Sequence, residues 1–445
     1  MSARSVSLVL SFTMVLASAH AFGQPRDERD ETSVRVRIDT VFRGVPRYVL
    51  TASDQQASAA DRYWRAVTLA PLMARATLDA HGLAGGHLET HLNAWGAIDL
   101  ALVDPQAYAA GDLAVAWARY RRGPWAVWAG RRFVPWGSPG GVHVDGIGGE
   151  VTAGGFNAEV MVGRPVTPAY GALAGAQGSF DGVTAAFGAR VGWMAPGTFS
   201  ASASYLERWA NGVAGIRALS LDATFTPSAR LDLRGGVVLD AAGGDVTQAS
   251  ADVDWMPTSW GTVAVGYAHV DPSRLIPKWS ILSVFVTDVF DEGRASFTWR
   301  PSRVVSLRLE GAGQHYQAPG VDDERWGHRL EASLRVTSRD RTRQGTFSAS
   351  RRDDGVRPMT LLRIAGMWTL PRDVGVALEA AAALDDDDPN SARTSLYARA
   401  AVDVPLGRGW RVGAAVDAVR STIAMSELRA LAHGTWTFER HGGGR

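Results

Sequence analysis

The chain has 445 residues, with 49 Gly, 16 Trp, no Cys and 20% charged side chains. A formal net charge of +1 excludes a strongly basic nucleic-acid binder, and the lack of Cys excludes disulfides, thiolate metal sites and Cys nucleophiles. Lys278 is the only Lys, so Arg carries nearly all the positive charge.

In chain order, Arg4 precedes an apolar run from Val6 to Ala19, followed by Ala19-His20-Ala21. A charged start, a short apolar core and an A-x-A site predict a secretory signal peptide over residues 1–21. The run is shorter than the roughly 20 residues of a spanning helix. Residues 22–32 are expected to form a short periplasmic N-terminal segment.

From Ser33 the dominant pattern is period two. Val34, Val36, Ile38, Thr40 and Phe42 share one face, while Arg35, Arg37, Asp39 and Arg43 share the other, with Val41 as an exception. Residues 87–100, 230–240 and 393–404 alternate in the same way, with Asp232, Arg234, Arg399 and Asp403 on their polar faces. The segments run about 10–13 residues, the length of a tilted membrane-crossing strand. A packed soluble core rejects charges on one face of nearly every strand; a water-filled lumen accepts them. Backbone groups in lipid must pair internally, so the sheet must close. The expected fold is therefore all-β: a single transmembrane antiparallel β-barrel over residues 33–438 in the bacterial outer membrane, with a tail at 439–445.

Turn chemistry sets the topology. Short connections recur at Gly123-Pro124, Gly154-Gly155, Pro196-Gly197, Pro227-Ser228, Pro257-Thr258, Pro301-Ser302, Pro371-Arg372 and Pro405-Leu406. Longer polar stretches separate them, as expected for short periplasmic turns alternating with long external loops. To keep all Pro-Ser/Thr turns on one side, residues 271–291 are assigned to a single external loop, although 281–290 has strand composition. The count is then about 22 strands, within a range of roughly 20–24. Trp117, Trp125, Trp193, Trp255, Trp260, Trp299, Trp368 and Trp410 fall near strand ends, where an interfacial girdle would place them. Glu427–Phe438 alternates and ends on Phe438, resembling the terminal assembly strand of outer-membrane proteins.

One region carries a family resemblance. Trp128-Ala129-Gly130-Arg131-Arg132-Phe133-Val134-Pro135-Trp136-Gly137, followed by Asp145-Gly146, is similar to a strand-and-loop pattern of bacterial outer-membrane porin and alginate-export-like barrels. Arg132 stands where that pattern has Gln. The resemblance covers about twenty residues and implies a passive channel or polymer conduit. From the residues themselves, Phe133–Gly149 is Gly-rich and carries Pro135 and Pro139. Two readings stand: an inward-folded loop that narrows a wide lumen, with Arg131, Arg132 and Asp145 as constriction charges, or a plain external loop.

Pore-lining candidates are Arg35, Arg37, Asp39, Arg230, Asp232, Arg234, Glu310, Arg399 and Asp403, a mixture of both signs that predicts weak ion selectivity. No catalytic, cofactor or metal residues are assigned. His87 and His91 lie about 13 Å apart along one strand, too far for a shared ion. His433 near Glu427 or Asp417 lacks an obvious nucleophile. Asp385–Asp388 reads as a solvated loop tip. Expected partners are outer-membrane lipid, lipopolysaccharide and small hydrophilic solutes, without nucleic acid, and with a homo-oligomer as an option. The expected role is a porin-like channel for diffusion or export. The alternatives are a structural or interaction barrel with a closed lumen and, behind it, a barrel hydrolase.

Overall fold

The period-two segments pair into one continuous antiparallel wall. A computed structural model describes residues 32–51, 63–100, 109–136, 141–166, 184–210, 213–271, 289–317, 324–353, 358–385, 393–420 and 427–441. Twenty-two strands run through the described residues. They are β1 Ser33–Thr51, β2 in two pieces (Tyr63–Leu69 and Pro71–Gly82), β3 Leu88–Asp99, β4 Ala109–Arg122, β5 Trp125–Val134, β6 Val142–Ala153 and β7 Phe156–Val166. Then follow β8 Thr184–Ala195, β9 Phe199–Ala210, β10 Val213–Ser228, β11 Leu231–Asp240, β12 Val246–Thr258, β13 Gly261–Val270, β14 Val289–Trp299 and β15 Val305–Gln317. The last seven are β16 Glu324–Thr337, β17 Arg343–Asp353, β18 Met359–Leu370, β19 Val374–Asp385, β20 Arg393–Gly407, β21 Trp410–Arg420 and β22 Glu427–His441.

Each strand pairs with its sequence neighbours, and β1 pairs with β22 from Ser33↔His441 to Gly44↔Ala430, so no edge is left open. Closure lets neighbouring strands satisfy one another's backbone along the wall without water, which is what a wall in hydrocarbon requires. Beyond Gly44, β1 pairs only with β2, from Val45↔Leu69 to Thr51↔Tyr63, as a two-stranded ribbon above the wall.

Alternation fixes the two faces. Val127, Ile147, Val160, Val191, Leu330, Ile364 and Leu428 are each at least 55% exposed, all on the outward face. Water does not tolerate so much contiguous apolar surface, whereas lipid does. At the end carrying the short turns, Trp125, Phe156, Trp193, Phe225, Trp255, Trp299 and Trp410 are exposed on this face. Trp193 sits 5.6 Å from Phe199, and Trp410 sits 6.2 Å from Trp436. This is the expected girdle, with two differences. Trp260 lies in a turn, and Trp117 faces inward, where it stacks on His91 at 5.9 Å. At the opposite end, ionisable side chains interrupt the outward face at Arg131, Asp145, Arg164, Arg217 and Asp291. Eight residues separate Phe225 from Arg217, and Trp299 from Asp291. At a rise of about 3.3 Å and a tilt near 40°, that gives an apolar band roughly 20 Å tall, close to the ~25 Å of a transmembrane barrel.

Several boundaries differ from expectation. Strand β10 runs through Pro227 to Ser228, and the turn is Ala229-Arg230, so Arg230 sits in a turn rather than on the wall. The last strand continues past Phe438 to His441, because Val34 and Ser33 offer partners to Arg440 and His441. Val289 and Phe290 belong to β14; the rest of 272–288 lies outside the described residues, as do residues 1–31 with the expected signal peptide and Asp386–Asp388. Most of Phe133–Gly149 is strand, since β5 and β6 stay in register from Trp125↔Val151 to Val134↔Val142.

Candidate channel lumen and its constriction

The inward faces carry the charges, and register decides which of them meet. Between β3 and β9, Arg119 lies between Glu89 at 3.4 Å and Glu150 in close contact. Arg132 bonds Glu150 and Glu159, each at 3.2 Å, and its guanidinium lies 5.1 Å over the Trp128 ring and 5.8 Å over Trp117. Planar guanidinium on indole, flanked by two carboxylates, fixes an otherwise mobile side chain against the wall.

Across β11 to β16, Arg234 donates to Asp232 at 2.7 Å and to Asp254 at 2.9 Å. Arg294 donates to Asp252 at 2.6 Å, and Glu310 accepts from Arg308 at 2.6 Å and Arg329 at 2.9 Å. From β18 round to β1, Arg363 meets Glu379 at 2.7 Å, Arg399 approaches Asp417 at 3.7 Å, and Arg411 meets Asp403 at 2.6 Å. Asp39 accepts from Arg37 Nε at 2.9 Å and from Thr435 at 2.8 Å, and Arg35 meets Glu439 at 3.1 Å. Arg35, Arg37, Asp39, Asp232, Arg234, Glu310, Arg399 and Asp403 all occupy the inward parity, and each has an opposite charge beside it. Arg399 pairs with Asp417, not with Asp403 in its own strand. Most of these pairs are partly solvated, so each stabilises weakly, at about 0–1 kcal/mol. Their larger consequence is that neither sign dominates the wall.

The remaining three candidates separate. Arg132 faces the lumen. Arg131 and Asp145 are in register with each other and form a bidentate pair, Nε to Oδ1 at 2.6 Å and Nη2 to Oδ2 at 2.9 Å. Their parity is that of the lipid-facing Val127 and Ile147, so they stand on the outward face rather than the inner one. Alternation counted from Trp125 carries this distinction; the adjacency of Arg131 and Arg132 hides it.

Sequence reasoning missed the apolar cluster beside Arg132. Trp128, Val134, Trp136, Val142, Val144, Met161, Ala186 and Leu206 are buried against one another. Met161 and Leu206 each alternate with lipid-facing neighbours, so this cluster lies on the inner side of the wall. Trp136 is 3% exposed and rests over Gly188, where a β-carbon would lie 3.3 Å from its ring. The hairpin tip of β5 and β6 therefore leans into the barrel.

Several histidines meet carboxylates. His91 bonds Asp79, His269 meets Asp291 at 2.9 Å, and His433 meets Asp403 at 3.0 Å rather than Glu427 or Asp417. His87 lies against Tyr120, 5.7 Å between ring centroids. No hydroxyl nucleophile is bonded to these rings, and no group of three or more His, Asp and Glu is placed to hold a metal ion, among the described residues.

No family model matches the chain, and no curated protein does. Among solved structures, the P pilus usher (PapC) translocation pore aligns with a TM-score of 0.48 at 7% identity, over 91% of this chain and 99% of that one. A BenF-like porin from Pseudomonas fluorescens Pf-5 gives 0.48 at 6% identity, over 92% and 99%. The outer membrane protein opdK from Pseudomonas aeruginosa gives 0.46 at 8%, over 92% and 99%. Likenesses this distant stand beside the barrel derived above and add nothing to it.

Proposed function

We propose that this protein is a channel of the bacterial outer membrane that lets small hydrophilic solutes diffuse across, with weak preference between anions and cations. The observation that carries the reading is the inner wall of a closed, lipid-facing barrel: charged along its length and locally neutralised strand by strand. Selectivity needs a net field at the narrowest ring, and paired charges supply little of one. Arg119, Arg132, Glu150 and Glu159 lie on the inner face beside the inward-leaning hairpin, and in this reading they are the charges that passing ions meet there.

In this reading residues 1–21 are the export address, and the short-turn end of the barrel faces the periplasm. The outward ionisable row of Arg131, Asp145, Arg164 and Arg217 then sits at the external interface, within reach of lipopolysaccharide phosphates. The reading assigns no cofactor and no catalytic residue. The test is planar-bilayer recording of the refolded protein: discrete conductance steps with a reversal potential near zero under a salt gradient support it.

A second reading, a barrel with a closed lumen serving as a structural or interaction module, is favoured by one observation. Trp136 and its neighbours fill part of the lumen on one side. It expects a folded barrel that conducts at no applied voltage.

A further inference from the structure

The tops of β5, β6 and β7 depart from the rest of the wall. Gly130 is in register with Gly146, and Gly146 with Gly163, so three glycines form a row across three adjacent strands. At each, the backbones approach too closely for a side chain. A β-carbon would lie 2.2 Å from the Ala116 carbonyl at Gly130, 2.3 Å from the Val162 carbonyl at Gly146, and 2.5 Å from the Asp145 carbonyl at Gly163. Gly130 also has φ of +120°, which L side chains rarely adopt. Glycine at such positions marks a sharp bend in a sheet.

Both flanking ladders end at this row. The β4–β5 pairing stops at Ala116↔Arg131, and the β7–β8 pairing stops at Gly163↔Ala186. Within the trio it continues, to Val134↔Val142 and His143↔Val166. A bulge at Ala114 takes β4 out of step, and Pro165 has no N–H to offer a neighbour. Residues 131–134, 142–145 and 164–166 therefore form a three-stranded flap whose backbone ladders to the wall, among the described residues, end at the glycine crease.

The flap has two differently made faces. Its inner face, Val134, Val142, Val144 and the adjoining Trp136, packs on Met161, Ala186 and Leu206. Its back is held to β4 by side chains: Arg131 Nη1 donates to Asp112 at 3.0 Å and to the Leu113 carbonyl at 2.6 Å, Asp145 grips the same guanidinium, and the His143 ring bonds the Ala114 backbone. A fixed constriction needs no crease, no missing ladders on both flanks and no side-chain clasp in place of backbone bonds.

We propose that this flap is a gate that swings about the Gly130–Gly146–Gly163 crease, with Arg131 as its latch to the β4 edge. Apolar packing favours the inward, latched position, and opening separates the flap from β4 while the barrel stays closed elsewhere. The proposal extends the channel reading, but the movement itself is measurable without conduction.

Because the chain has no Cys, spin labels can be placed at Leu113→Cys and Phe133→Cys, one on each side of the gap, and their separation measured by pulsed electron resonance in lipid. The latched protein is expected to give one dominant short distance. Arg131→Gln, and independently Asp112→Asn, should raise a longer-distance population severalfold, with folding checked by heat-modifiability. If both variants fold and both keep the original distribution, the gate is refuted. Conductance recorded on the same samples separates the claims: a distance shift without conduction keeps the gate and removes the channel, and conduction with unchanged distances does the reverse.

Discussion

Two sectors of one wall show how a single alternation rule yields a rigid lining in one place and a device in another. From β15 to β21 the ladders run nearly the full length of each strand, as from Met359↔Asp385 to Leu370↔Val374, and polar side chains pair across the inner face. Between β4 and β8 the alternation persists, yet glycines align, a bulge and a proline stop the flanking ladders, and a buried apolar cluster joins the charged side chains inside. The outward code is the same in both. What differs is where backbone bonds are withheld, and that decides where the wall can move.

The comparison breaks most readily at the crease. Gly146→Val would push a β-carbon against the Val162 carbonyl, whereas Gly345 in β17 has nothing within 4 Å of that position. The first substitution should abolish recovery of a heat-modifiable barrel and the second should leave it intact; equal yields would mean the crease is not the tight point described here.

Next in size is Trp136→Ala. Emptying an aromatic site in a packed cluster costs about 3–5 kcal/mol, against less than ~0.5 kcal/mol for an exposed position such as Trp326, which is 71% exposed. Urea titration of the refolded protein reads the difference, and conductance of the Trp136 variant should rise. Comparable midpoints for the two variants would show that the inner cluster holds nothing in place.

In the regular sector, Glu310→Gln leaves Arg308 and Arg329 without their shared carboxylate. Reversal potentials should move toward anions, by an amount visible in one salt gradient. An unchanged potential would place the selectivity ring elsewhere along the pore.

The smallest effect concerns a turn. Asp340 accepts from the Ser338 hydroxyl and the Thr342 amide, which hold its carboxyl down at about 2 against an ordinary 3.8. A lowered folded-state value stabilises above the ordinary value and is lost as pH falls from about 4 toward 2. Protection of the Thr342 amide, measured against its intrinsic exchange rate at each pH, should fall over that window in the native protein, and Asp340→Ala should lack that protection throughout.

Much of the fold was legible in the sequence because period two, strand length and turn chemistry are local signals. The strand count followed from requiring Pro-Ser turns to lie on one side, and the Trp row followed from alternation. Register is not local, and the misplacements come from it. Gly130, Gly146 and Gly163 look like three unrelated turn-formers until pairing aligns them. Arg131 and Arg132 look like one basic pair, yet parity sends one to the latch and the other to the lumen. Arg230 looks like wall in the sequence because Pro227-Ser228 has the chemistry of a turn, whereas β10 continues past Pro227 to Ser228 and the turn falls at Ala229-Arg230.

The most direct test of the central claim is single-channel recording of the refolded wild-type protein in a planar bilayer. The account predicts discrete steps with a reversal potential close to zero under a salt gradient. A folded, heat-modifiable barrel that never conducts, or one that conducts with a strong preference for either sign, would contradict it.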